Sequence, residues 1–157
     1  MESEADSIRR QGIVSKPWVL FLCTHNSARS QMAEGLLRHK AADSFEVCSA
    51  GTSPVGLHPL AVAVMGEVGI DISSHRSKPV EEVSNRRFDI VITVCDQARE
   101  ECPYLPACAE RLHWSVRDPA AVRGRDEAQL EAFRSARNEL ARRIDLFLSI
   151  PTSPFRS

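Results

Sequence analysis

The sequence predicts an α/β fold, a three-layer sandwich with a central four-stranded parallel sheet flanked by helices. Three observations lead there. Short runs that are apolar throughout, "WVLFLC", "FEVCSAG" and "FDIVITVC", have the length and pattern of strands buried on both faces. Segments with helical periodicity separate them, and strands alternating with helices imply right-handed crossovers and a parallel sheet. The chain has 157 residues, the size of one domain, and buries roughly 70% of its unfolded surface without staples.

Each element has its own justification. "WVLFLC" is the first strand, and "SARSQMAEGLLRHK" follows it with Met32, Ala33, Leu36 and Leu37 at helical spacing. "FEVCSAG" is a second strand closed by Gly51. "PLAVAVMGEVG" is a second helix, with Pro59 in its first turn and Gly69 past its end. "FDIVITVC" is the clearest buried strand, and "RLHWSV" is a weaker fourth. From Glu127 to Ser149, Leu130, Phe133, Ala136, Leu140, Ile144 and Phe147 mark one face of a long amphipathic helix. Residues 17–150 thus form a single catalytic domain, with residues 1–16 a flexible polar extension and 151–157 a tail.

Charge and cysteine content narrow the function. Twenty Lys and Arg balance 21 Asp and Glu for a net charge of -1, which leaves no basic field for nucleic acid or an anionic membrane. Any anionic ligand is therefore held locally. The N-terminal "MESEADSIRRQGIVSK" lacks a signal-peptide core, and no run approaches the about 20 apolar residues of a membrane span. The expectation is a cytoplasmic protein, by default a monomer because no spare apolar stripe is evident. Five cysteines without a signal argue against a secreted disulfide framework, and their spacings make no paired-knuckle zinc pattern. Neither a metal nor a cofactor is expected.

Ligands of parallel sheets bind beyond the carboxyl ends of the strands, and Cys23 and Cys95 each stand at such an end. After Cys23 come Thr24, His25, Asn26, Ser27 and Ala28, small or polar residues that leave the backbone open, then Arg29 as a helix begins. Backbone N–H groups and a helix N-terminus make a cradle for a tetrahedral oxyanion, and the Arg29 fork binds two of its oxygens. The same surroundings should lower the Cys23 pKa and make its thiolate a nucleophile. Ser30 either hydrogen-bonds that thiolate or caps the helix. Asn26 suits a left-handed turn in the loop. Glu34 either steadies the loop from behind or is a surface acid, and the His25 side chain is a solvated loop residue. The competing reading of Cys23 is an inert buried thiol.

Cys95 and Cys102 flank a polar segment of helical character. If residues 96–101 are helical, their Cα atoms stand roughly 10 Å apart, whereas a disulfide needs about 7 Å or less. A bond between them would require that helix to unwind; the alternative is two unrelated thiols. Together the parts describe a relay in which Cys23 attacks an oxyanion, Cys95 attacks Cys23 or its adduct, and Cys102 carries the disulfide outward. A phosphatase needs only the first thiol.

Over almost the whole domain, through "VLFLCTHNSARSQMAEGLLR", "SAGTSPVGLHPLAVAVMGEVGIDISSHRSK", "DIVITVCDQAREECP" and "HWSVRDPA", the chain resembles the thioredoxin-coupled arsenate reductases that share the low-molecular-weight tyrosine phosphatase fold. The resemblance implies reduction of arsenate to arsenite for arsenic detoxification. Phosphate or sulfate would act as analogues of the substrate, and thioredoxin as the reductant. It implies Cys23 as first nucleophile, Cys95 and Cys102 as relay thiols, Arg29 as oxyanion binder and Ser30 as helper of Cys23. Asp118 would assist proton transfer from above the loop; read from the residues alone, it is equally a turn residue before Pro119.

The chain departs from the family pattern in two places. Some members bind potassium through residues matching Asn26, Glu34 and Ser49 with an aspartate, where this chain has Lys78, whose ammonium would replace the ion. Some have a fourth cysteine where Ala28 stands. Cys48 reads as strand packing, and Cys108 as a surface thiol or an alternative partner for Cys102. The rival function is a tyrosine phosphatase on the same fold, whose "DPY" pattern contrasts with Asp118-Pro119-Ala120 here. A redox-switched oxyanion sensor is a third reading, and glutaredoxin with glutathione an alternative donor.

Overall fold

A computed structural model describes residues 16–95 and 108–150. In order, these form β1 (Trp18–Cys23), α1 (Arg29–Ala41), β2 (Glu46–Gly51), α2 (Pro59–Glu67), β3 (Phe88–Thr93), β4 (Cys108–His113) and α3 (Asp126–Leu148), with short 3-10 turns at Val80–Val83 and Pro119–Ala121. The strands form one parallel sheet in the order β2-β1-β3-β4. The expected α/β architecture is the observed one.

Sequence chemistry accounts for the layering. β1 is central, and Val19, Leu20, Phe21 and Leu22 are fully buried. A strand covered on both faces has no polar side to alternate with, hence its unbroken apolar run. α3 presents Phe133, Ala136, Leu140 and Ile144 to the core, and α1, α2 and α3 pack on one another. Glu67 of α2 receives Arg134 and Arg137 of α3, and these pairs hold the Glu67 carboxyl down at about 2.

β4 differs from expectation. It starts three residues earlier, because pairing with β3 runs from Phe88↔Cys108 to Thr93↔His113. Trp114 and Val116 lie beyond the ladder, and Trp114 packs against Phe21 and Phe147. Core burial, not strand pairing, explains their apolar character. Cys108 is the first residue of β4. Cys102, the helix expected over 96–101, the tail 151–157 and the N-terminal extension except for Lys16 lie outside the described residues. Among the described residues, no helix is long and apolar enough to cross a membrane.

Candidate active site

All four strands end on one rim, where Cys23 closes β1 and Cys95 follows β3 by two residues. Between Cys23 and α1, six successive carbonyls are held from outside the loop. Thr52 N–H donates to Cys23 O, Ser53 to Thr24 O, Val55 to His25 O and His58 to Ser27 O. Met32 N–H takes the Ala28 carbonyl, and Gln31 Nε2 takes that of Asn26. With the carbonyls turned outward, the loop N–H groups turn in. Asn26 N–H points at Cys23 Sγ (3.2 Å), and among the described residues no backbone carbonyl accepts from Thr24, His25, Ser27 or Ala28 N–H. Such a ring of inward donors at a helix N-terminus is an oxyanion cradle.

Two positions let the backbone adopt that shape. Asn26 has φ 47°, in the left-handed region that Asn tolerates better than most residues. Gly51 lies directly behind the loop, where a Cβ would stand 2.6 Å from Thr24 O and 2.9 Å from Asn26 N.

A chain of polar contacts fixes the Cys23 thiol. Lys78 N–H donates to Asn26 Oδ1, so Asn26 Nδ2 faces the other way and donates to Ser30 Oγ (2.8 Å) and Ser49 Oγ (3.0 Å). Having accepted from Asn26, Ser30 keeps its hydroxyl proton for Cys23 Sγ, 2.8 Å away. Of the two roles expected for Ser30, the structure selects this one: Ala28 is the N-cap of α1, without a side-chain cap. Ser49 donates to Glu34 Oε1.

Glu34 is a buried network residue, not a surface acid. Its carboxylate meets Arg38 (3.0 Å), His75 (3.3 Å) and Lys78 Nζ (3.9 Å). Burial pushes the His75 pKa down against the pull of Glu34. Lys78 therefore stands with Asn26, Glu34 and Ser49 and supplies a cation behind the loop.

The expectation of a lowered Cys23 pKa is not met. Burial pushes the thiol up, opposed by hydrogen bonds with the Ser30 side chain and backbone and by the Arg29 charge. Cys23 is 2% exposed, and loss of hydration costs a thiolate more than these donors return.

Cys95, also buried, lies with its Sγ 3.4 Å from Thr24 Oγ1. The Thr24 residue thus joins the Cys23 loop to the second thiol. Arg29 donates Nη1 to Val116 O (2.9 Å) and brings Nη2 within 3.7 Å of Asp118 Oδ2. Asp118 thus stands beside Arg29, and it serves as a turn residue, its Oδ1 accepting Ala120 N–H. His25 is exposed at the mouth. Cys48 is half-buried in β2, its thiol pushed up to about 11 mainly by burial. Sequence reasoning assigned no place in the site to Gln31, His58 or Gly51, and read Gly51 only as the end of a strand; that position just behind the loop was the available signal.

Residues 18–150 match the family model described as low molecular weight phosphotyrosine protein phosphatase. The chain belongs to that family. Within this phosphatase family its relatives include an arsenate reductase of Shouchella clausii, 44% identical over 134 residues, covering 85% of this chain and 96% of the relative. A solved arsenate reductase in the phosphate binding state is 34% identical and superimposes with a TM-score of 0.73, covering 85% of this chain and 97% of that one. A thioredoxin-dependent arsenate reductase from Corynebacterium glutamicum is 34% identical at a TM-score of 0.60, over 89% of this chain and 68% of that one.

Proposed function

We propose that this chain is an arsenate reductase of the low molecular weight phosphatase family, working in the cytoplasm as a monomer with thioredoxin as its reductant. The observation that carries the reading is the second buried thiol: Cys95 lies against Thr24 of the cradle, where a hydrolase has no use for it. Ala120 in place of an aromatic after Asp118-Pro119 points the same way, and so do the reductases among the relatives.

The positions of Cys23, Arg29 and Cys95 support the first steps of this chemistry. Arsenate occupies the inward N–H groups and the Arg29 fork. Cys23 Sγ, relieved of its proton, attacks arsenic, and Asp118 gives a proton to the departing oxygen, which leaves as water. Cys95 then attacks Cys23 Sγ; a sulfur–sulfur bond forms, the sulfur–arsenic bond breaks, and its electron pair stays on arsenic, which departs as arsenite. Cys102 attacks Cys95, returning Cys23 as thiolate, and the dithiol of thioredoxin reduces the Cys95–Cys102 disulfide. Two electrons pass from dithiol to arsenic in each cycle.

The test is arsenate-dependent NADPH oxidation with thioredoxin and thioredoxin reductase. Repeated turnover in wild type, abolished by each of Cys23→Ser, Cys95→Ser and Cys102→Ser, is expected. Full turnover in Cys102→Ser would remove the outward step. Silence toward arsenate, with aryl phosphate hydrolysis that survives loss of both Cys95 and Cys102, would make the protein a phosphatase.

A further inference from the structure

Of the six loop carbonyls between Cys23 and α1, five are held by backbone N–H groups and one, Asn26 O, by a side chain. Among the described residues no backbone N–H donates to Asn26 O, which takes Gln31 Nε2 at 3.1 Å instead. Gln31 is fully buried in the first turn of α1, three positions after the N-cap residue Ala28. A Glu or Gln at that position commonly reaches back to a backbone N–H. Here it reaches back to a carbonyl, because the loop has turned its N–H groups the other way.

Three oxygens face Gln31 Nε2: Asn26 O, Asn26 Oδ1 (3.0 Å) and Arg76 O (3.1 Å). Only a donor fits among them, which fixes the amide with Oε1 on the opposite side. There Oε1 meets His75 Nδ1 at 3.1 Å, so the ring proton sits on Nδ1, and the bare Nε2 faces Arg38 Nη1 at 3.3 Å. A carboxylate of the same shape would set oxygen against oxygen at all three contacts. An apolar side chain would leave Asn26 O buried without a donor.

The consequence lies one bond further on. The Asn26–Ser27 peptide is trans, so its C=O and the Ser27 N–H point in opposite directions. Holding Asn26 O away from the cradle therefore aims Ser27 N–H into it. Asn26, at φ 47°, sits in a sparsely populated region, where surrounding contacts and not intrinsic preference keep that plane. The neighbouring donors depend on no such side chain: the planes that carry Thr24, His25 and Ala28 N–H are set by Thr52, Ser53 and His58 N–H.

We propose that Gln31 is a positioning residue of the oxyanion site: its amide holds the Asn26–Ser27 peptide so that Ser27 N–H faces the bound ion. The proposal rests on the reading of the cradle as an oxyanion site and needs no arsenate turnover for its test. The probe is sulfate, followed by calorimetry and by backbone amide NMR. In wild type, sulfate should shift the Thr24, Ser27 and Ala28 N–H resonances downfield together. Gln31→Met keeps the length of the side chain and removes the amide. The Ser27 shift should then vanish, the Thr24 and Ala28 shifts should stay, and sulfate affinity should fall about ten-fold. Wild-type affinity with the Ser27 shift intact would overturn the proposal. So would loss of all three shifts together, which would make Gln31 a packing residue of the loop as a whole.

Wild type supplies a reading that needs no folded variant. A scalar coupling should cross from Gln31 Nε2 to the Asn26 carbonyl carbon and survive sulfate binding; its absence in the bound form would overturn the proposal whatever the variant does. A wild type that binds sulfate yet leaves arsenate unreduced would sink the reductase reading alone, and the Ser27 shift would still decide the role of Gln31.

Discussion

Removing the Ser30 hydroxyl isolates what supports the Cys23 thiolate. Burial pushes the Cys23 thiol up, and the Ser30 side chain is the largest influence pulling it back. Their contact is 2.8 Å, buried, and directed by Asn26 so that the hydroxyl proton goes to sulfur. A hydrogen bond to a charged group contributes about 1.5–3 kcal/mol. At about 1.4 kcal/mol for each factor of ten, Ser30→Ala should cut the Cys23 thiolate population at neutral pH about 10- to 100-fold. The assay is the pH dependence of iodoacetamide alkylation, followed by mass spectrometry of the Cys23 peptide in a Cys95→Ser, Cys102→Ser background. The midpoint should move to higher pH and the rate at pH 7 fall by that factor. Arsenate turnover, measured with Ser30→Ala alone, should fall with it. An unmoved midpoint in a folded variant would refute the hydrogen-bond argument and leave loop N–H groups and Arg29 as the sole support of the thiolate.

Four further outcomes follow from the geometry. Thr24→Val removes the hydroxyl facing Cys95 Sγ and should slow formation of the Cys23–Cys95 disulfide in rapid-quench experiments without weakening oxyanion binding; equal rates would dismiss the contact. Gly51→Ala drives a methyl to 2.6 Å from Thr24 O, so phosphate binding measured by calorimetry should be lost or weakened at least ten-fold. If Lys78 serves as the cation beside Glu34, potassium should activate wild type no more than sodium at equal ionic strength, whereas Lys78→Met should lose stability; strong potassium-specific activation of wild type would contradict this. Glu67 has a folded-state value of about 2 against an ordinary 4.5, so its contribution to stability is present above about pH 4.5 and fades as pH falls toward 2. Glu67→Gln should flatten that part of a melting-temperature profile, and since the group is exposed the effect should shrink in high salt.

How far the sequence could be read depended on the kind of interaction involved. Strands such as Phe88–Thr93 were legible because a doubly covered strand has no polar alternation to hide its extent. Cys23, Arg29 and Ser30 were legible because a strand, a short loop and a helix in succession leave them few places to go. β4 was displaced because Trp114 and Val116 are apolar for core packing beyond the end of the ladder, and pattern alone does not separate those causes. The Cys23 pKa was misjudged because loop donors can be counted along the sequence, whereas desolvation depends on the whole fold. Glu34 looked ambiguous because its partners His75 and Lys78 lie more than forty positions away. The outward hold on the loop carbonyls was hidden because four of its six donors come from a separate stretch, Thr52 to His58.

Those carbonyl anchors mean that the cradle has its shape before any ion arrives. A site built this way admits tetrahedral oxyanions on size and charge, and phosphate and arsenate offer it the same four oxygens. Discrimination must then come after entry: a thiol relay can take oxygen from arsenic(V) and hand it electrons, and it has no such route with phosphorus(V). Phosphate becomes a competing occupant, and useful turnover in a phosphate-rich cell depends on how quickly the enzyme lets the wrong ion go.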